Sequence, residues 1–266
     1  KRGAAAVVAR MVTNVADSGP GSLRQALLDA AANPGADTVL FNIPDSGPHT
    51  IAPLSALPVL SGATIIDGYS QPGALHNTTA TGFTGSIRIV VDGSSAGNVD
   101  GFILMSERVE LQGLAISNFA GAAVLANGSA GPVLRGNLIG TDATGLLDRG
   151  NAIGVSAVPG AQGGAIGGPS PHHRNVISGN TGGIIASGNY ATIWGNYIGI
   201  AADGSGNLGN NGSGILAQGT GTRIRDNTIR FNTTRGIGIS GAASRVSIRG
   251  NSVFGNGGLG IDLGLD

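Results

Sequence analysis

The chain has 266 residues, no cysteine and a formal net charge of zero, which excludes a disulfide framework and thiol chemistry and gives no global signal for a polyanion partner. Glycine is the outlier at 49 residues, over twice the average usage of about 7%, but it has no three-residue period, so collagen is excluded. Aliphatic content is too high for a disordered chain, aromatics are only 4%, and no apolar run approaches the roughly 18 residues of a membrane span.

In chain order, residues 1–10, "KRGAAAVVAR", carry a basic pair and a short Ala/Val run too weak for a signal peptide. They are expected to form an N-terminal arm. "MVTNVADSGPGSLRQALLDAAANPGADTVLFNI" then reads as strand, helix, strand. Ser22 with Gln25 makes a capping box. Leu23, Ala26, Leu27, Ala30 and Ala31 share one helical face, and Asn33-Pro34-Gly35 ends the helix. The spacing predicts a helix over about 23–32.

Repeats follow. "VLRGNLI" at 133–139, "TIWGNYI" at 192–198, "RIRDNTI" at 223–229 and "SIRGNSV" at 247–253 align without gaps. The runs are short and alternate with period two, so they are strands. Their inward positions are Leu134, Ile193, Ile224 and Ile248, then Ile139, Ile198, Ile229 and Val253. A second phrase follows each, as in "GIIASG" at 183 and "GILAQG" at 214. "TIIDG" at 64 and "VVDG" at 90 read as earlier turns of the same ladder, with Asp67 and Asp92 stacked. A unit near 22–25 residues with three short strands is one coil of a parallel β-solenoid. The lattice of a leucine-rich repeat and the GGxGxDxUx pattern of Ca-binding nonapeptides are both missing.

The expected fold is therefore all-β: a single-domain, right-handed parallel β-helix of about eight or nine coils with a short N-terminal α-helical cap. An open solenoid end exposes strand edges and apolar core, so residues 11–63 are assigned to the cap and 64–266 to the coils. Asn137, Asn196, Asn227 and Asn251 are expected at corners, tolerating left-handed backbone and bonding to their neighbours above and below. Segments 140–154, 167–175 and 199–214 are insertions expected to gather on one flank. The chain stops mid-phrase at "GLGIDLGLD", so a longer chain or a second subunit is expected to continue that end.

The opening phrase "VTNVADSGPGSLRQALLDAAANPGADTVLFNIP", with "GNLIGTDATG" and "RNVISGNTGG", resembles secreted bacterial right-handed parallel β-helix repeat proteins with a GSLRQA-type N-terminal module. The resemblance spans about residues 11–266. It implies a β-helix and an extracellular or cell-surface location, and no settled reaction.

Many β-helix proteins act on acidic polysaccharides, so an enzyme is the alternative to a structural, assembly or adhesive module. The only lysine is Lys1, which removes a Lys base. The adjacent Asp pair, Gly-His-Gly and Arg-Ile-Lys of pectinolytic hydrolases are missing. Asp67 and Asp92 read as turn residues, and Glu107 and Glu110 as a solvated edge. His172 and His173 share a loop with no third metal ligand identifiable. Asp142, Asp148 and Asp203 are the candidate Ca²⁺ ligands, matching no known loop spacing, and no cofactor is assigned.

Arginine carries the strongest functional signal. Six arginines and one acid, Asp226, lie between residues 220 and 250. With Ile224 and Ile248 inward, Arg225 and Arg249 face outward on successive coils, and Arg135 and Trp194 take that site on earlier ones. Gln112 starts the stripe, Gly167 interrupts it, and Arg223, Arg230, Arg235 and Arg245 add charge nearby. Like charges stacked about 5 Å apart repel, so stability does not explain them. Arg forks bind carboxylates and sulfates, and Trp offers a sugar-stacking face. The candidate ligand-binding residues are Arg135, Trp194, Arg223, Arg225 and Arg249. The expected partner is an anionic polysaccharide or cell-surface glycan, with self-association as the competing role. Nucleic acid is disfavoured by zero net charge and a single Trp.

Overall fold

The structure, a computed structural model, describes residues 7–106, 108–128 and 131–265. Lys1 and Glu107 lie outside them. The described chain winds as a right-handed parallel β-solenoid of about nine turns. Three parallel sheets of nine, eight and seven strands run its length, joined in each regular coil by two tight corners and a longer return.

Alternation builds the interior. Leu134, Ile193 and Ile224 are fully buried in one column, and Ile139, Ile198 and Ile229 in the next. They stack in register, Ile193 on Ile224 and Ile198 on Ile229. The second phrase forms the third column, with Val155, Ile184, Ile215 and Ile237 buried and paired in order. Each fully buried aliphatic contributes about 1.5–3 kcal/mol. Ile248 and Val253 are only partly buried, against expectation. They belong to the last described coil, on which no further coil stacks.

Asparagines close the corners in two ladders. Asn137, Asn175, Asn196, Asn227 and Asn251 form one. From Asn175 onward each side-chain oxygen accepts from the backbone N–H and side-chain NH₂ of the Asn one coil earlier, at 2.9–3.2 Å, and that of Asn137 accepts from Leu114 N–H at 3.1 Å. The side-chain NH₂ of Asn196 also donates to Ile166 O at 2.8 Å. Asn151, Asn180, Asn210, Asn232 and Asn256 repeat the device at the next corner. The left-handed residue is the one before the Asn in the first ladder, Gly136, Gly195, Asp226 and Gly250. The sequence expectation put it on the Asn. The Asn side chain must point inward to reach its neighbours, so the corner's positive φ falls on the residue ahead.

The helix occupies Leu23–Ala32. Leu23, Ala26 and Leu27 pack into the core with Val12, Val39 and Phe41, which covers the first coil. Ala31 faces solvent instead. Ser22 accepts from Gln25 N–H at 3.1 Å, but Gln25 turns to Asp29 at 2.8 Å rather than closing the box.

Two assigned boundaries shift. The first strand begins at Val8 and pairs with Asp37–Phe41, so the solenoid starts well before residue 64 and takes in the end of the expected arm. Arg10 anchors it through buried Asp37 at 2.8 Å. Asp67 and Asp92 do not stack, because Thr64–Asp67 belongs to the first sheet and Ile89–Asp92 to the second. Each caps a 3₁₀ turn, Asp67 accepting from Tyr69 N–H and Asp92 from Ser94 N–H, so one local signature serves two different corners.

Insertions 140–154 and 199–214 lie between the second and third sheets, whereas 167–175 lies between the first and second. They do not share a corner. Segment 71–87 straps the outer face of the second sheet, packing Phe83 and Ile87 on Leu138, Val176 and Tyr197. Arg174 holds the strap by donating to the carbonyls of Thr79, Ala80 and Gly82, with its guanidinium 4.4 Å from the Tyr197 ring centre. No helix of the described residues is long and apolar enough to cross a membrane.

Candidate functional site

With the second sheet strapped, the outer face of the first sheet remains open. Its central ladder runs Asp67, Gln112, Arg135, Gly167, Trp194, Arg225, Arg249. Four of the five candidate residues stand in it. Arg223 stands in the adjacent outward ladder, between Thr192 and Ser247. Arg230, Arg235 and Arg245 do not join them. Arg230 ends a second-sheet strand between Phe231 and Phe254, at 4.4 and 4.1 Å from the ring centres. Arg235 pairs with buried Asp262 at 2.7 Å. Arg245 sits exposed on the return, with positive φ.

The stripe is partly compensated. Arg225 lies 3.8 Å from the Trp194 ring centre and 3.4 Å from Asp226, and Arg135 pairs with Glu110 at 2.9 Å. Arg223 and Arg249 have no ion-pair partner among the described residues. Arg223, Arg225, Asp226, Ser247 and Arg249 together line a concavity of about 390 Å³. Three guanidinium groups here offer donors to an anion, with the Asp226 carboxylate among them.

Toward the other end, residues distant in sequence assemble beside Arg135. The rings of Tyr69 and His76 lie 3.8 Å apart, His76 and His172 6.0 Å, and His172 and His173 4.6 Å. Tyr69 Oη donates to Gly136 O at 2.7 Å. Burial, aided by the Asp67 charge, pushes its phenol above the ordinary range. Burial and then the Arg135 charge, with His172 and His76, hold His173 below the ordinary imidazole value. These surroundings favour the neutral form of His173 more than water does. Nothing in the sequence pattern places Tyr69 and His76 beside the paired histidines, because 68–87 follows no repeat phase. Only their approach to the 171–173 turn joins them to the pair of histidines.

Asp142 accepts from the N–H groups of Leu146 and Leu147, and Asp203 from those of Ser205 and Gly206. These carboxylates cap their own loops, and hydrogen bonding lowers both pKa values, in Asp142 against the opposing effect of burial. Asp148 likewise accepts from Gly150 N–H. Among the described residues no three His, Asp or Glu side chains are grouped to hold a metal ion.

The sequence family described as "Right handed beta helix region" matches residues 103–265. No curated protein sequence matches the chain. Among solved structures, the Dettilon tailspike protein aligns with a TM-score of 0.56 at 14% identity, over 91% of this chain and 42% of its own length. The A-module of a mannuronan C-5 epimerase of Azotobacter vinelandii aligns at 0.48 and 17% identity, over 90% of this chain and 75% of that one. An alginate lyase from Paenibacillus sp. strain FPU-7 aligns at 0.43 and 16% identity, over 96% and 99%. This chain therefore spans less than half the length of the tailspike it matches.

Proposed function

This chain belongs to the right-handed β-helix family, and on that premise we propose that it is an extracellular or cell-surface module whose first-sheet face contacts an anionic glycan, in a structural or adhesive role. One observation carries the reading: Arg225 and Arg249 in register beside Arg223, with Arg225 stacked on Trp194, around one open concavity. Charge-assisted forks suit carboxylates and sulfates, and a solenoid face repeats its donors at the strand spacing, so a polymer can meet several at once. The export it entails rests on the "GSLRQA" opening phrase and the secreted bacterial proteins that phrase resembles.

The test is the double variant Arg225→Ala with Arg249→Ala. Both side chains are exposed, so stability should stay within about 1 kcal/mol of the parent, while binding to a panel of uronic-acid and sulfated polymers is lost in calorimetry. Unchanged binding by the folded variant overturns the reading. A changed oligomer with glycan binding untouched makes the stripe a subunit interface instead.

A second reading, a carbohydrate-active enzyme on an acidic polysaccharide, is favoured by the gathering of Tyr69, His76, His172 and His173 beside Arg135. A neutral imidazole next to an anion-binding guanidinium suits proton transfer from a carbon next to a carboxylate. Product formation from the same polymers, lost in His173→Asn, is its test.

A further inference from the structure

Gly167 is the one position between Asp67 and Arg249 of the central ladder that has no side chain. Its backbone explains the glycine: φ is +84°, and a Cβ there would strike Trp194 O and Asn196 of the corner ladder. The outer face inherits a notch of about 270 Å³. Arg135 stands one coil before the gap and Trp194 one coil after it. Two strand spacings, about 9–10 Å, therefore separate their rows. Pro169 and His173 of the corner turn wall one side, and Thr192 stands in the neighbouring ladder.

The walls differ in chemistry. Arg225 covers one face of the Trp194 indole at 3.8 Å. The coil on the other side is the one that carries Gly167, so the second face looks over the notch. Arg135 gives Nη1 to Glu110, whereas its Nε is buried with no hydrogen-bond partner. His173 Nδ1 is in the same condition. An aromatic face, a guanidinium two coils away and an imidazole on the side wall match a ring with an apolar face, one acidic substituent and hydroxyl groups. The volume lies just below the roughly 300 Å³ at which drug-sized ligand sites begin, so it suits one ring.

We propose that this notch is a binding site for a single acid-bearing pyranose, a uronate residue, stacked on Trp194 with its carboxylate toward Arg135 and a hydroxyl toward His173. The site deepens the anionic-glycan reading and rests on it: the notch selects one residue of the polymer, and Arg223, Arg225 and Arg249 hold its extension.

Trp194 is the only tryptophan of the chain, so its emission reports the notch directly. Titration with glucuronate should change that emission saturably. Glucose at equal concentration should bind at least tenfold more weakly, and sodium sulfate at matched ionic strength should give no saturable change in the Arg225→Ala variant, in which the stripe no longer touches Trp194. Arg135→Gln should weaken glucuronate at least tenfold, and Trp194→Leu should abolish its binding in calorimetry. Trp194→Phe, which keeps an aromatic face, should stay within about fivefold and guards against a variant that fails to fold. Arg223→Ala with Arg249→Ala should leave glucuronate within about threefold while weakening the polymer. Equal responses to glucose or to sulfate, or no effect of Arg135→Gln in a folded variant, overturn the proposal. Polymer binding that survives such a result leaves the stripe standing without the notch. Loss of polymer binding together with it removes both.

Discussion

At the residue scale, the corner asparagines join coil to coil. Asn196 is fully buried and supplies the acceptor for Asn175 N–H and NH₂ and the donor for Ile166 O. Asn196→Ala strands these groups in a dry corner at about 1–3 kcal/mol each. A loss of about 3 kcal/mol in chemical denaturation is expected, against about 1 kcal/mol for Asn251→Ala on the last coil. Equal losses would show that burial does not set the cost. His173 gives a second residue-scale expectation. Its folded pKa lies below the unfolded value of about 6.5, because burial, Arg135, His172 and His76 all oppose its charge. The unfolded state therefore binds the proton more readily, and stability should fall as pH drops through about 6.5. His173→Asn should flatten the profile between pH 7 and 5.5, and an unaltered slope counts against the assignment. Asn137, Asn196, Asn227 and Asn251 were legible in the aligned phrases, but Asn175 was not, because the turn at 171–173 separates it from the preceding Gly167 and breaks the "RGN" spelling, and neither was the second ladder of Asn151, Asn180, Asn210, Asn232 and Asn256, which follows insertions of unequal length.

At the element scale, strands of two to five residues have little stability of their own, and stacking supplies it. Ile224 sits between Ile193 and Ile248 with no solvent access. Ile224→Asp puts an unpaired charge into that column and should cost more than about 4 kcal/mol, the range of severe core lesions. Ile248→Asp, at the partly open last coil, should cost clearly less. A thermal midpoint for Ile224→Asp equal to the parent's would put the inward phase on the wrong residues. The period of two made this phase readable, and it held in the inner coils at Leu134, Ile193 and Ile224 and at Ile139, Ile198 and Ile229, but not at Ile248 and Val253 of the last coil. The earlier coils were harder to read. Asp-Gly marks a first-sheet corner at 67–68 and a second-sheet corner at 92–93, and no local pattern tells one from the other.

At the scale of the whole molecule, charge placement matters more than charge sum. Net charge is zero, yet Arg223, Arg225 and Arg249 converge on one face while Arg230 and Arg235 are taken up by aromatic and ion-pair contacts elsewhere. An exposed cluster is screened over about 10 Å at 0.1 M salt and 3 Å at 1 M. Affinity for an anionic polymer should therefore fall steadily as NaCl rises from 0.05 to 0.5 M, and the Arg225→Ala, Arg249→Ala variant should lose most of that dependence. Salt-independent binding would mean that another face, or apolar contact, holds the polymer.

The sequence by itself determined the coil period, the inward columns, the cap helix and the outward register of Arg135, Trp194, Arg225 and Arg249, because each is set by local alternation and by identical coils stacking in phase. Only the tertiary structure decided what surrounds that register. The strap 71–87 closes the second sheet, and Tyr69 and His76 arrive beside His172 and His173 from about a hundred residues away. Those contacts depend on where irregular segments land along the solenoid axis. No periodicity encodes that height, since an insertion leaves the coil in phase while its loop reaches across neighbouring coils.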